Sequence, residues 1–446
     1  MAMEQRGQLV RCICIVQLII KVIRMMQHQV TKPFTIDKHV IMNAWKRVKE
    51  NKGSAGIDNI STEDYESNLG KNLYKLWNRM SSGSYFPKAV KLVDIPKPSG
   101  GTRPLGIPTV GDRIAQMSVV LLIESRLEAI FHMDSYGYRP NRSAHDAIGK
   151  ARERCWRYNW VLDMDISKFF DTIDHALLMK AVERHVQERW ILLYIRRWLK
   201  VPYATVTGEC IERSMGIPQG SVIGPVLANL YLHYTFDKWM SLYHPTIPFE
   251  RYADDTICHC NSLEEAQRLK TSIVERFAAC KLRLNEEKTR IVYCKDGKRR
   301  GEYKEITFDF LGYTFQPRGQ RNKQGQVFNG YAPAISKKSK KRITEKIRGW
   351  HLNSRVQLKL SDIAMEINAE VRGWMNYYGK FYGSQLKAFL QCVNLKLARW
   401  AERKYKRFRR KPNDAYKWLV WIASKNPTLF YHWQHGVKPN RLKPFG

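Results

Sequence analysis

Apolar residues in the N-terminal part of the chain fall mainly at helical spacing. Between residues 39 and 50 this spacing predicts one buried helical face, made of Val40, Ile41, Ala44, Trp45 and Val48. Residues 112–131 are mostly apolar and predict a buried packing helix. Ser143 opens a further helical stretch with Asp146 three residues later, the arrangement of a capping box. We therefore expect several packed helices before residue 160.

Strand patterns interrupt these helices. Residues 91–107 predict a basic hairpin with Lys97 and Arg103 near its tip. Residues 160–166 predict an apolar strand, and residues 249–260 predict two short strands joined at a tight turn. Strands mixed with helices in this way indicate an α+β domain.

The character of the chain changes after about residue 317. Residues 318–330 are polar and rich in Gly, Asn and Gln, as in a linker or a long hairpin. From residue 337 to 411 there are 21 Lys and Arg against five Asp and Glu, a net of +16 over 75 residues. This segment has helical periodicity and many aromatic residues, of which Trp374 and Trp400 are expected in the core. Because a solvated face normally mixes both signs of charge, the excess predicts a helical region that contacts a polyanion.

Composition narrows the class of protein. Apolar residues make up 44% of the 446 residues, so the chain can bury a core. The formal net charge is +35, from 76 Lys and Arg against 41 Asp and Glu, which favours nucleic acid as the partner. An anionic membrane is the alternative, but the basic residues are spread along the chain rather than gathered beside one amphipathic stretch.

The N-terminus carries one apolar run, at residues 12–23, which is interrupted by polar residues and too short to span a bilayer. No small-residue cleavage site follows it. We expect a cytoplasmic protein with no membrane partner and a poorly ordered extension at residues 1–30. Since Met25 and Met26 precede the first segment with a globular pattern, a misplaced start is the alternative for residues 1–24.

The nine cysteines form neither a disulfide framework nor a zinc site. Their spacing is irregular, and a chain of this length does not need covalent staples. Cys258, His259 and Cys260 are adjacent, and no second Cys/His pair stands at zinc-ligand spacing. We expect reduced, structural cysteines.

Acidic residues end two of the predicted strands. Asp165 closes the strand of residues 160–166, and Asp254 and Asp255 lie at the turn within residues 249–260. In nucleotidyl transfer, two divalent ions about 3.5–4 Å apart stabilise the attacking and leaving oxygens, and holding them requires carboxylates from more than one rigid segment. The alternative for an Asp-Asp pair is ordinary turn chemistry.

Four segments in order along the chain decide between these alternatives. Tyr252-Ala-Asp-Asp255 resembles the signature tetrad of reverse transcriptases. Residues 214–229 resemble the family's segment under the templating base pair, residues 284–289 its lysine-bearing loop, and residues 308–313 its primer-grip hairpin. The resemblance implies a right-hand polymerase of α+β class, with fingers, a palm β-sheet and a helical thumb.

The resemblance also implies a metal centre. Asp165, Asp254 and Asp255 match the catalytic positions, and together with Ile166 they are the implied ligands of two Mg²⁺ ions, for which Mn²⁺ is a substitute. Asp163 stands at the wrong offset from the motif and is expected to be a structural neighbour.

Further residues are implied for nucleotide binding: Lys97, Arg103, Phe170, Gln219, Gly220 and Lys288. Phe170 matches the steric gate, a ring that leaves no room for a 2′-hydroxyl. Gln219 and Gly220 match contacts to the incoming nucleotide and template. The alternative for Lys97 and Arg103 is a solvated basic turn. Lys288 is either a general acid for pyrophosphate or a plain surface lysine.

The resemblance extends to proteins encoded by group II introns. Residues 52–58, 101–116, 135–140 and 165–175 resemble their early blocks, and residues 371–379 and 429–433 resemble their maturase (thumb, or X) domain. The implied function is RNA-directed DNA synthesis on intron RNA together with assistance in splicing. The implied partners are group II intron RNA, an RNA template–DNA primer duplex, target DNA and dNTPs.

Basic residues at both ends of the helical region are expected to bind RNA. They are Lys337, Lys338, Lys340, Lys341, Arg403, Lys404, Lys406 and Arg407. Cations along helices follow phosphates, and interleaved aromatic residues stack on unpaired bases.

Two departures from the family pattern matter. Ser221-Val-Ile-Gly-Pro225 stands where Gly-Val-Val-Ser-Pro is more usual, which leaves the fine substrate contacts open. Nothing after residue 435 resembles a DNA-binding and endonuclease module, so we expect no cutting of the second target strand and a primer supplied from elsewhere.

The expected domains follow from these patterns. They are an extension (1–30), an N-terminal and fingers part (31–110), a fingers–palm core (111–316), a linker (317–336), a helical thumb or maturase domain (337–435) and a tail (436–446). Two other functions stay open: a splicing-only maturase with an inactive polymerase, and a domesticated reverse transcriptase in phage defence or beside a CRISPR array.

Overall fold

The computed structural model describes residues 32–96, 101–205, 207–321 and 324–439. The expected extension at residues 1–30 and the tip of the basic hairpin with Lys97 lie outside the described residues. The chain divides into two compact units. The first contains the residues up to Phe131 together with Lys168–Tyr234, and the second contains His132–Ser167 together with the residues from Thr235 onward.

The helices of the described residues are α1 (Lys38–Glu50), α2 (Thr62–Ser67), α3 (Leu69–Ser81), α4 (Val110–Glu128), α5 (Ala144–Cys155), α6 (Phe169–Thr172), α7 (His175–Glu183), α8 (Arg189–Leu199), α9 (Gly224–Leu232), α10 (Lys238–Tyr243), α11 (Leu263–Ala279), α12 (Lys337–Gly349), α13 (Leu360–Tyr378), α14 (Gly383–Lys404), α15 (Pro412–Lys425) and α16 (Tyr431–Gln434). A π-helix spans His233–Asp237, and short 3₁₀ turns span Leu352–Ser354 and Lys406–Phe408.

The strands are β1 (Val90–Pro96), β2 (Thr102–Ile107), β3 (Trp160–Met164), β4 (Tyr203–Ala204), β5 (Cys210–Ile211), β6 (Phe249–Tyr252), β7 (Asp255–Cys260), β8 (Arg290–Tyr293), β9 (Phe308–Phe310), β10 (Tyr313–Arg321) and β11 (Val327–Ile335). They form three sheets, in the orders β2-β1-β4-β5, β6-β7-β3-β8 and β11-β10-β9.

The first unit contains the predicted basic hairpin. Strands β1 and β2 pair antiparallel, and Ile95 lies opposite Arg103. The predicted buried helix is α4, whose N-cap Thr109 accepts a hydrogen bond from the backbone N–H of Asp112. The apolar face of α1 is buried as its spacing predicts. The hairpin carries Arg103, and α1 packs against α4 in the same unit.

The second unit contains the sheet β6-β7-β3-β8. Strand β3 lies antiparallel to β7, with Met164 opposite Thr256, and a two-residue turn joins β6 to β7. Helix α5 has the predicted capping box between Ser143 and Asp146. The free cysteines Cys258 and Cys260 are buried in β7, as expected of structural thiols. Among the described residues, the sheet and its helices confirm the predicted α+β class.

Residues 318–330, expected as a linker or a long hairpin, lie at their described positions in a hairpin, within the segment 317–336 that was expected as a linker. Strands β10 and β11 pair over nine residues, from Tyr313 opposite Ile335 to Arg321 opposite Val327. Strand β9 adds to the other edge of β10. The helical region that begins with α12 therefore follows directly on a sheet.

The C-terminal helices pack around large apolar side chains. Trp400 and Trp433 are fully buried, which agrees with the core position expected for Trp400. Trp374 stacks on Trp350 with ring centroids 5.7 Å apart and is only half-buried. Among the described residues, no helix combines the length and apolar composition that crossing a bilayer requires.

A buried asparagine connects α14 to the end of the described chain. The side-chain oxygen of Asn394 accepts hydrogen bonds from His432 Nε2 at 2.9 Å and from Trp433 Nε1 at 2.8 Å. The Asn394 amide nitrogen donates to the Val437 carbonyl at 3.0 Å. Burial lowers the pKa of His432 to about 3. The helical region therefore requires a neutral imidazole at this position.

The pH dependence of unfolding tests this requirement. Between about pH 3 and 6.5, His432 is protonated in the unfolded chain but neutral in the folded one, so stability falls as the pH is lowered through this interval. His432→Gln keeps a donor and cannot titrate. We expect a smaller loss of unfolding temperature between pH 7 and 4 in this variant than in the wild type, measured by circular dichroism. Parallel pH profiles would contradict the assignment.

Candidate metal centre and nucleic-acid interface

The turn between β6 and β7 presents two carboxylates. Tyr252 pairs with Asp255, so Ala253 and Asp254 form the turn itself. Ala253 has a φ of 57°, in the left-handed region that few residues other than glycine adopt. Such a conformation persists only where the surroundings hold it. The adjacent aspartates are therefore fixed by a constrained turn.

The third carboxylate approaches from the neighbouring strand. Because Met164 lies opposite Thr256, Asp165, the next residue, continues the register towards Asp255. The Asp165 carbonyl accepts a hydrogen bond from the Asn285 N–H at 2.8 Å, and the Ser167 N–H donates to the Arg283 carbonyl at 2.9 Å. The structure thus brings Asp165, Asp254 and Asp255 to the same end of two adjacent strands.

Electrostatics couples these carboxylates. The Asp255 side chain opens to solvent on one side. Partial burial by the surrounding chain, followed by the charges of Asp254 and Asp165, raises its pKa to about 6, while Lys338 and Lys288 oppose the rise. The Lys288 ammonium lies 3.1 Å from Asp165 Oδ2. The site therefore concentrates negative charge beside two cations.

The donor set fits a hard divalent cation, since carboxylate and carbonyl oxygens are the ligands such ions prefer. The Ile166 side chain is apolar, so only its backbone carbonyl can contribute. Ile166 forms an antiparallel β-bridge with Leu284. The two hydrogen bonds of this bridge are made by the Asp165 carbonyl and the Ser167 N–H, so the Ile166 carbonyl takes part in neither. Within the described residues, no three His, Cys, Asp or Glu side chains already converge as a metal-binding group. The side chains lie close together without meeting at one point.

Asp163 has different surroundings. Arg290 Nη2 lies 3.6 Å from its Oδ2. Burial raises the pKa of Asp163 to about 7, against the opposing effect of Arg290. Asp163 thus has a cation of the neighbouring strand β8 as its partner, which favours the structural role expected for it.

Phe170 belongs to the first unit and lies in α6. Its backbone carbonyl accepts a hydrogen bond from the Ile217 N–H at 2.7 Å. Gly216 has a φ of 78°, and a Cβ atom there would lie 2.7 Å from the Asp171 carbonyl oxygen. Only glycine fits this close approach. The segment of residues 214–229 is therefore packed directly against the Phe170 backbone.

The first unit also joins three nucleotide-binding candidates. Arg103 Nε donates to Gln219 Oε1. The Gln219 carbonyl accepts from the Gly106 N–H at 2.7 Å. Gly220 has a φ of 107°, and a Cβ atom there would lie 2.4 Å from the Gly106 oxygen. Arg103, Gln219 and Gly220 thus form one cluster on the β1–β2 hairpin.

A buried glutamine that sequence reasoning missed organises the same loop. Gln116 Oε1 accepts hydrogen bonds from Ser221 Oγ and the Val222 N–H, both at 2.9 Å, and from the Ile223 N–H at 3.3 Å. These bonds explain the departure at Ser221, because its hydroxyl anchors the loop where the family more often has glycine. A buried polar residue in the mostly apolar helix α4 was the available signal.

The basic residues of the second unit fall into two groups. Lys337, Lys338 and Lys341 are exposed at the start of α12, whereas Lys340 is half-buried. Burial, followed by the charge of Arg318, lowers the pKa of Lys340. Lys338 lies close enough to the carboxylates to lower the pKa of Asp255. Lys338 of the first group is therefore electrostatically linked to the candidate metal centre.

Two members of the second group, Arg403 and Lys406, line a cavity of about 700 Å³ near the end of α14. The residues lining it are Asn353, Arg399, Glu402, Arg403, Lys406, Arg409 and Arg410. Lys404 behaves differently, because its ammonium donates to the backbone carbonyls of Val356 at 2.7 Å and Leu358 at 2.8 Å. Arg407 stacks over Phe408, with its guanidinium carbon 4.6 Å from the ring centroid. Arg409 and Arg410 fall within the basic run of residues 403–411, whereas Arg399 lies outside that run and was missed by sequence reasoning.

Two family models match the chain. Residues 95–315 match "Reverse transcriptase (RNA-dependent DNA polymerase)". Residues 340–418 match "Group II intron, maturase-specific domain". The first match contains the carboxylates and the nucleotide-binding candidates, and the second contains most of the helical basic region.

Similar proteins come from bacteria and from yeast. Protein YkfC of Escherichia coli is 32% identical over 297 residues, which cover 58% of this chain and 74% of that protein. The group II intron-encoded protein LtrA of Lactococcus lactis is 26% identical over 424 residues, 75% of this chain and 68% of that protein. The putative COX1/OXI3 intron 1 protein of Saccharomyces cerevisiae is 29% identical over 204 residues, 46% of this chain and 24% of that protein.

Proposed function

We propose that this chain is an RNA-directed DNA polymerase that copies a group II intron RNA and assists its splicing. The proposal starts from the premise that the chain belongs to the reverse transcriptase family and carries a group II intron maturase-specific domain. The observation that carries the catalytic part is the approach of Asp165 to Asp254 and Asp255 at the end of two adjacent strands. The splicing-only alternative requires an inactive polymerase, and the presence of all three carboxylates argues against it.

The proposed chemistry is attack of a DNA primer's 3′-hydroxyl on the α-phosphate of a dNTP, which forms a phosphodiester bond, breaks the bond between the α- and β-phosphates and releases pyrophosphate. Divalent ions at this site, proposed as two Mg²⁺, would supply neutralisation of the charge on the attacking and leaving oxygens. Asp165, Asp254 and Asp255, with the Ile166 carbonyl, would hold them. The contact of Lys288 with Asp165 favours a role at the reacting centre over that of a plain surface lysine. The family uses divalent ions; their identity as Mg²⁺ and their number are part of the proposal.

The nucleotide-binding candidates of the first unit complete the proposal. Arg103 is proposed to bind the triphosphate and Gln219 to contact the nucleotide, because the two side chains are bonded to each other on a basic hairpin. The proposed partners are dNTPs, an RNA template–DNA primer duplex and target DNA. The cytoplasmic location stays a prediction.

RNA recognition is proposed for the basic cavity. Five cations line it, Arg399, Arg403, Lys406, Arg409 and Arg410, and a single carboxylate, Glu402, offsets them. Guanidinium groups match phosphate geometry. The family match to a maturase-specific domain supports intron RNA as the ligand.

Loss of the turn carboxylates tests the polymerase assignment. Asp254→Asn with Asp255→Asn should reduce primer extension on an RNA template by at least about a thousandfold, since both ligands of the turn lose their charge. RNA binding and splicing assistance should persist. The matched control is Asp163→Asn, which should extend primers within about tenfold of the wild type. Full-rate extension by the double variant would exclude the metal assignment.

A second test concerns the sugar. Phe170→Ala should reduce discrimination between dTTP and UTP by at least about tenfold in kcat/KM, roughly 1.4 kcal/mol, because the bulk at the proposed gate is removed. The neighbouring Phe169 is buried, and Phe169→Leu should leave the ratio unchanged while it lowers the unfolding temperature. Unaltered selectivity in Phe170→Ala would exclude the gate.

A pair of adjacent substitutions tests the cavity. Arg403→Met should weaken RNA binding and lower the slope of log affinity against log salt by about one, because one phosphate contact is lost. Lys404→Met removes the same charge, but its ammonium is bonded to backbone carbonyls. That variant should lower the unfolding temperature and leave the salt slope nearly unchanged. Equal salt slopes for the two variants would indicate that the RNA does not bind at this cavity.

A further inference from the structure

A buried arginine lies directly before the turn that carries the paired aspartates. Arg251 is fully buried, and burying a guanidinium costs several kcal/mol unless it is paired and hydrogen-bonded. Its Nε donates to Asp237 Oδ1 at 2.7 Å, and its Nη2 donates to Asp237 Oδ2 at 2.6 Å. Asp237 is fully buried as well. The two side chains form a bidentate pair away from solvent.

The same guanidinium makes a third contact, to the turn itself. Arg251 Nη1 donates to the Ala253 carbonyl at 3.1 Å. That carbonyl belongs to the peptide unit that joins Ala253 to Asp254. Because Ala253 has a φ of 57°, the orientation of this peptide unit is not one that the chain would adopt unaided. The bond therefore holds the unit from which the Asp254 side chain projects.

The position of Asp237 depends on an irregular helix. Asp237 is the last residue of the π-helix His233–Asp237, between α9 and α10. Such widened turns are rare and occur mostly at functional sites. The Asp237 carbonyl also accepts a hydrogen bond from Ser241 Oγ at 3.1 Å, so its backbone is fixed at the start of α10. Asp237 is thereby a rigid support for Arg251.

The backbone around the turn is enclosed from the other side. The Arg251 N–H donates to the Asp134 carbonyl at 2.9 Å, and the Arg251 carbonyl accepts from the Tyr136 N–H at 2.8 Å. A Cβ atom on Gly137 would lie 2.3 Å from the Ala253 nitrogen. The segment from Asp134 to Gly137 therefore contacts the turn so closely that only glycine fits at position 137.

A second buried set of charges secures that segment. Arg154 bridges Asp134, at 2.7 Å, and Glu250, at 2.6 Å. Glu250 in turn lies 2.6 Å from His259 Nε2. These contacts join α5, β6 and β7 behind the carboxylates. The turn is thus surrounded by paired charges, none of which is a proposed metal ligand.

A purely structural role is the alternative for Arg251, and Arg299 of the same unit provides a comparison for such a role. Arg299 also bonds an aspartate, with Nε 2.9 Å from Asp296 Oδ2, and also donates to backbone carbonyls, those of Tyr158 and Cys155. That arginine supports the chain without touching the Tyr252–Asp255 turn. What distinguishes Arg251 is its bond to the carbonyl that precedes Asp254.

We propose that Arg251, held by Asp237, is a positioning residue that orients Asp254 and Asp255 for divalent metal binding. The inference rests on the proposed function, because it takes the carboxylates as metal ligands. Groups that orient metal ligands typically change metal affinity by about 10- to 100-fold when they are lost.

The test compares two arginines in the full-length protein. Arg251→Lys keeps the charge, but an ammonium cannot reproduce the planar, bidentate guanidinium and its additional bond to the carbonyl. Mn²⁺ binding, measured by electron paramagnetic resonance of the unbound ion, should weaken by about tenfold or more. Arg299→Lys, the matched control, should lower the unfolding temperature and leave the Mn²⁺ dissociation constant within about twofold. Primer extension by Arg251→Lys should recover as the metal concentration is raised.

A second variant keeps the test decisive if Arg251→Lys does not fold. Asp237→Asn retains the size of the side chain and removes the charge that holds Arg251, and it should weaken Mn²⁺ binding in the same direction. Equal Mn²⁺ affinities in the wild type and in a folded Arg251→Lys or Asp237→Asn protein would overturn the proposal. If instead the double variant Asp254→Asn with Asp255→Asn binds Mn²⁺ as tightly as the wild type does, the metal-centre assignment fails, and the positioning role fails with it.

Discussion

Repulsion between like charges is the constraint on which the second unit depends. Asp165, Asp254 and Asp255 lie at the end of two adjacent strands, and their mutual repulsion, after burial, raises the pKa of Asp255 to about 6. A fold that keeps such charges together must oppose the repulsion. Lys288 and Lys338 do so from outside, and a constrained turn with a left-handed residue does so through the backbone. A bound divalent cation would relieve the remaining repulsion.

The positive charge of the helical region complements the negative charge of these carboxylates. The chain carries a net charge of +35, of which +16 falls in residues 337–411, the region that begins with α12. Lys338 stands on α12, the first helix of this region, and acts on Asp255. In the arginine-lined cavity at the end of α14, five cations face a single lining carboxylate, Glu402. In the second unit, Lys338 beside the carboxylates and the arginines of the cavity thus belong to one helical region.

Much of this organisation could be predicted from local patterns. The capping box of Ser143 and Asp146, the hairpin near Arg103 and the turn at Asp254 depend on residues a few positions apart, where spacing alone carries the information. Pairs that depend on tertiary structure could not be predicted. Ser221 meets Gln116 across 105 positions, and Arg251 bonds Asp237, which lies at the end of a π-helix between α9 and α10. Lys404 was expected at an RNA surface because of its charge, but backbone carbonyls brought near by the fold bind its ammonium.

The central claim is that Asp165, Asp254 and Asp255 form one metal centre. Anomalous diffraction from crystals grown with Mn²⁺, a template–primer duplex and a non-hydrolysable dNTP would test it most directly. The account predicts two Mn²⁺ peaks about 4 Å apart, bounded by these three carboxylates and excluding Asp163. Peaks on Asp163, or a well-ordered complex with no Mn²⁺ at the Tyr252–Asp255 turn, would contradict it.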